Sequence, residues 1–230
     1  MTAAPEPQSK GPASAAAGAG RFMWRKRIRD IALLGLSLGA SVSVAQLHGN
    51  GVVGVAQARE APAFAYRDGP PPGFSGGFKE DTCVACHFDY ALNVNPGRLT
   101  LSAPERYTPG ETYTLTVTLT RPRMKVGGFQ LTARFEEDGA QAGTLTVVPG
   151  DEKRIKVSPD RGVQYAYHQR PGTQLVSRDT ARWTLRWTAP ARGGTVVFNV
   201  AGNAANEDDT QFGDYIYATS ARAVASGRSR

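Results

Sequence analysis

Strict alternation of apolar and polar residues dominates the second half of the chain. Tyr113, Leu115, Val117 and Leu119 fall on one side of the run 113–120, and four threonines fall on the other. Gly128 to Phe135, Trp183 to Trp187 and Thr195 to Val200 repeat that period of two. A period of two predicts strands with one buried and one wet face. Shorter candidates are Arg98–Ser102, Gly143–Val148, Gln164–His168 and Tyr215–Ala218. About eight such strands, separated by Pro, Gly and Asp turns and with no long helical pattern, predict an all-β antiparallel β-sandwich over residues 98–220. Trp183 and Trp187 share a face and read as large residues packed on the sheet. Residues 221–230 are small and basic and read as a flexible tail.

The first half is organised differently. Residues 1–20 are mostly Ala, Gly, Pro and Ser and carry little that could pack. Five basic residues lie between Arg21 and Arg29, and the uncharged run Ile31–Ala45 follows them. A basic region, an apolar run and small residues afterwards make an export signal. Cleavage sites are available at Ser43-Val44-Ala45 and at Ala56-Gln57-Ala58. Extension of the apolar run through residues 31–56 would instead give an N-terminal membrane anchor. Residues 59–77 form a Pro/Gly linker, with Gly69-Pro70-Pro71-Pro72-Gly73 at its centre. The expected location is therefore periplasmic or otherwise extracytoplasmic.

The formal net charge of +7 suggests an anionic partner until its location is considered. Residues 1–58 hold six of the 27 basic and two of the 20 acidic residues, which leaves 21 against 18. The basicity belongs largely to the leader, so a nucleic-acid partner is not expected.

Both cysteines of the chain lie in Cys83-Val84-Ala85-Cys86-His87. C-x-x-C-H is the attachment pattern of a c-type haem, in which two thiols add to the porphyrin vinyl groups and the adjacent imidazole ligates the iron. A zinc site would need further soft ligands that the chain lacks, and a redox dithiol would need a βαβ setting. The expected cofactor is one covalent haem c per chain. Asn93, Asn95, Pro96 and Gly97 stop any helix soon after the motif, so residues 78–97 form a short haem segment that must borrow cover from the sandwich.

The second axial ligand has three candidate solutions: His168 at the end of a strand, Met124 in a loop, or an open or water-held position. Arg121, Arg123 and Lys125 could pair with propionates or remain solvated. Phe88, Tyr90, Tyr165 and Tyr167 could wall the ring or pack on the sheet. The oxygen-rich stretch Asn203–Asp209 with Asp214 could hold calcium or form a plain hairpin. No Ser/His/Asp set, phosphate loop or pair of carboxylates placed for hydrolysis stands out, so an enzyme is not expected.

Several ordered pieces carry a resemblance: Gly73–Gly77, Cys83–His87, Tyr107–Gly110, Gly127–Ala133, Tyr167-His168, Trp187–Pro190, Ala201–Asn206 and Gly213–Tyr217. In these the chain resembles the bacterial reelin-like (Reeler-like) family labelled choice-of-anchor V. That resemblance implies an immunoglobulin-like sandwich after a short haem-binding segment, and it favours His168 over Met124 as the second ligand. The expected function is that of an exported monohaem cytochrome-like protein, with a redox partner protein or small electron carrier. The alternative is an extracytoplasmic binding or adhesion module whose haem is structural or sensory.

Overall fold

The computed structural model describes residue 66 and residues 68–226. The leader or anchor (1–58), the start of the linker and residues 227–230 lie outside the described residues. No described helix is long and apolar enough to cross a membrane.

Among the described residues ten strands follow the C-x-x-C-H motif: β1 (Arg98–Ser102), β2 (Arg106–Tyr107), β3 (Thr112–Thr120), β4 (Val126–Phe135), β5 (Thr144–Val147), β6 (Ile155–Asp160), β7 (Val163–His168), β8 (Thr180–Thr188), β9 (Thr195–Ala205) and β10 (Tyr215–Ala225). They form a four-stranded sheet, β1-β3-β8-β5, packed on a six-stranded sheet, β2-β10-β9-β4-β7-β6. This is an immunoglobulin-like β-sandwich. Every pairing is antiparallel except the two-residue contact of β2 with β10.

The alternation places the core as expected. Leu115, Val117 and Leu119 of β3 face inward with Trp183, Leu185 and Trp187 of β8, and all six are fully buried. Phe129, Leu131, Val196, Phe198 and Val200 meet them from the other sheet. Each indole nitrogen finds a carbonyl: Trp183 Nε1 donates to Gly172 at 2.7 Å and Trp187 Nε1 to Ala142 at 2.8 Å. Burial of these polar handles is therefore satisfied.

Two expectations need correction. Residues 221–225, read as tail, continue β10 and pair with β9 as far as Val224↔Thr195. Ala223 there is fully buried, so its small side chain is a packing choice rather than a mark of looseness. Residues 70–77, read as linker, hold no ladder but lie against the outer side of β4. Gln130 accepts from the Phe74 N–H at 2.7 Å and donates to the Pro71 carbonyl at 2.8 Å. Ser75 is buried and its Oγ lies 3.2 Å from the Thr132 hydroxyl. This cover explains why β4 is buried on both faces although its sequence alternates.

Glu80 closes the cover. Its carboxylate accepts from Ser75 Oγ at 2.7 Å, Tyr165 OH at 2.5 Å and Arg134 at 2.8 Å. Burial, then the bond to Glu80, pushes the Tyr165 phenol well above its ordinary value.

Candidate functional site

The motif folds as one tight turn. Cys83–Ala85 is a 3₁₀ turn capped by Thr82, whose Oγ1 accepts from the Val84 N–H at 3.3 Å. The N–H groups of Cys86 (3.2 Å) and His87 (2.9 Å) both converge on the Cys83 carbonyl. This short chain path presents two thiols and an imidazole from one turn. The cysteines are not bonded to each other. Burial pushes the Cys83 thiol up to about 12, although the residue as a whole keeps partial exposure. Cys86 is exposed.

The His87 ring is anchored by a residue far along the chain. Its Nδ1 lies 2.9 Å from Asp214 Oδ2. A carboxylate only accepts, so the neutral ring carries its proton on Nδ1 and its Nε2 is an acceptor, with the Asn203 amide nitrogen 3.4 Å away. Asp214 is 3 % exposed; Asn203 Nδ2 donates to its Oδ2 at 3.0 Å and the Asn206 N–H to its Oδ1 at 3.1 Å.

Cys83, Cys86, His87 and His168 all line one cleft of about 170 Å³. Pro70, Pro71, Phe74, Val126 and Phe129 give it apolar surface, and its charged lining residues are Arg170, Glu207, Asp208, Asp209 and Asp214. His168 ends β7, where it is 9 % exposed. Its Nδ1 accepts from the Phe129 N–H at 3.0 Å, which puts the proton of the neutral ring on Nε2. In the other tautomer Nδ1–H would donate to the Phe129 carbonyl, 3.3 Å away, and free Nε2. Burial lowers its pKa and favours the neutral ring.

The other expected residues sit elsewhere. Met124 is buried in the hydrophobic core and does not line the cleft. Arg121 donates to Tyr217 OH at 2.7 Å and lies 3.1 Å over the Tyr215 ring, while Arg123 and Lys125 are exposed. None of the three lines the cleft; Arg170 does. Tyr90 stacks on Tyr215 with centroids 3.9 Å apart, and Phe88 meets Phe212 edge-on at 5.9 Å. Tyr165 and Tyr167 pack under residues 69–80 rather than in the cleft.

The oxygen-rich loop is largely bonded to itself, but the buried Asn203 Oδ1 has no hydrogen-bond partner among the described residues. Asn206 Oδ1 accepts from the Asp208 N–H, and Asp208 Oδ1 accepts from the Thr210 N–H and hydroxyl. The Thr210 N–H holds the Asp208 carboxyl below its ordinary range. Among the described residues no three His, Cys, Asp or Glu side chains are grouped to hold a metal ion.

Two thiols and an imidazole share one turn, a set capable of holding a haem c, and a second imidazole lines the same cleft. The pairing of Asp214 with His87 was not visible from sequence, where Asp214 read as one more loop oxygen.

No family model matches the chain, and no curated protein does. Among solved structures the chain is similar to a chain of a complex between a CaDoc0917 variant and CaCohA2 (13% identity, TM-score 0.37, covering 56% of this chain and 99% of that one). It is also similar to a non-cellulosomal cohesin from Archaeoglobus fulgidus (9%, TM-score 0.39, 58% and 93%). A third is the cohesin module of a Clostridium perfringens family 33 glycoside hydrolase (8%, TM-score 0.40, 56% and 98%). The expectation of a redox partner protein or small electron carrier is corrected by this comparison, which returns cohesin modules.

Proposed function

We propose that this chain is an exported β-sandwich binding module, of the reelin-like type, that carries one covalent haem c in a structural or sensory role. Cys83 and Cys86 would hold the porphyrin through thioether bonds, and His87 and, in its Nδ1-protonated tautomer, His168 would supply nitrogens to the iron. The observation that supports this most is one apolar cleft lined by all four residues, although His168 belongs to the sandwich and the rest to the segment before it. When bound, haem c would supply an iron centre that can take nitrogen ligands from the protein. His87 and His168 approach from separate parts of the fold, so joint ligation ties the motif segment to the sheet. That bridging supports a structural role for the haem, joining the two parts. Export is part of the proposal, with residues 1–58 as its signal or anchor.

The test is production of the full chain in a host able to attach haem c. The expected product carries the added porphyrin mass and a six-coordinate low-spin spectrum, and it cycles slowly with small redox carriers. A colourless protein of unmodified mass overturns the haem reading. Fast, reversible cycling returns the reading to electron transfer.

A further inference from the structure

We infer that Asp214 is a positioning residue for the proximal ligand: its carboxylate fixes the tautomer and direction of His87 and biases the bound iron toward the oxidised state. This rests on the haem reading above. Three observations carry it.

First, the 2.9 Å contact joins His87 Nδ1 to a carboxylate that is itself 3 % exposed. Metal-ligating histidines commonly give their second N–H to such a group, which orients the ring and raises its basicity. Second, Asp214 is not free to turn away. Asn203 of β9 and the Asn206 N–H hold its two oxygens, and Asn203 lies opposite Ile216 in the β9–β10 register. Third, the two chain segments are joined beyond this pair. The Gly213 N–H donates to Asp89 Oδ2 at 2.6 Å, and Tyr90 stacks on Tyr215. Residues 87, 89 and 90 are thus registered against 214, 213 and 215. A contact fixed on both sides serves orientation better than an incidental surface pair.

Asp214→Asn is the informative variant. Each carboxylate oxygen already accepts from at least one donor. An amide keeps one acceptor and brings an NH₂, so either flip sets donor against donor, at His87 and Asn203 or at Asn206. The holoprotein is poised at a fixed solution potential and its spectrum read. D214N should shift the ratio of reduced to oxidised iron upward by about tenfold, the low end of what losing an outer partner costs a metal site in affinity or activity. Its paramagnetic-resonance signal should broaden or move as the His87 ring loses its fixed direction. Unchanged poise and unchanged spectra in a porphyrin-loaded variant overturn the inference.

Because D214N could fail to fold, the wild-type ferrous protein gives a second reading by proton NMR. A downfield, slowly exchanging His87 Nδ1 proton supports the contact; a proton in rapid exchange with water overturns it. Wild-type protein that carries no porphyrin fails the haem reading itself, a result distinct from either of these.

Discussion

The His168 imidazole lies where a side chain on Gly128 would have to go: a Cβ at position 128 would stand 2.7 Å from His168 Cε1 and 3.0 Å from Nδ1. Gly128 is thus part of the site, because its missing side chain lets the ring settle against β4 and accept the Phe129 N–H. Gly128→Ala should displace the ring while leaving Cys83, Cys86 and His87 untouched. The expected result is retained porphyrin mass with a loss of the low-spin spectrum, plus about 1–3 kcal/mol of overpacking cost in chemical denaturation.

His168→Ala and Met124→Ala separate the two distal candidates. The first should abolish the low-spin signal. The second should leave the spectrum unchanged and lower stability by about 2–3 kcal/mol, because it hollows out the core. The opposite pattern in visible and paramagnetic-resonance spectra would make Met124 the ligand.

Most strands were legible in the sequence, including β7 and β10, which do not alternate strictly; β2 and β6 were missed. Arg98–Ser102 matches β1, and the cores of β3, β4, β8 and β9 follow the period of two. β6 escaped notice because Ile155–Asp160 does not alternate and contains Pro159. Its place at a sheet edge is where a proline is tolerated. β2 is only two residues long. In the site, the local motif was readable because its spacing is itself the chemistry. Asp214, Gly128 and Arg170 were not, since each acquires its role only when β10, β4 and the turn after β7 are brought together.

Alkaline stability depends on two buried phenols. Burial raises the pKa of Tyr107 and of Tyr165, the latter with help from Glu80. A phenol with a folded-state pKa above its unfolded value contributes stability that is fully present below the unfolded value of about 10. That contribution falls as pH rises from there through the folded-state pKa. Unfolding free energy should therefore drop above about pH 10. Tyr165→Phe should lower stability by about 1–2 kcal/mol at neutral pH, through loss of the bond to Glu80, and should flatten the alkaline fall. An equal slope in the variant would remove Tyr165 from the account.

Haem attachment should stiffen one end of the covering segment and leave its middle unchanged. Residues 71–80 are held without any cofactor, by Gln130 to Pro71 and Phe74 and by Glu80 to Ser75, Tyr165 and Arg134. The motif turn is tied to the sandwich chiefly through His87, Asp214 and Asn203. A second bond from His168 to the same iron would exist only in the folded state, and whatever binds only the folded state stabilises it. Haem-free Cys83→Ser/Cys86→Ser protein should therefore fold as the same sandwich but melt lower. The drop should reach at least about 2–4 °C, the shift that 1 kcal/mol makes in a domain of this size. Amide exchange should be faster at residues 83–87 in the variant and equal at residues 71–80. Equal exchange at 83–87 in both proteins would mean that the ligands do not bridge the two parts, and the structural role would then fall.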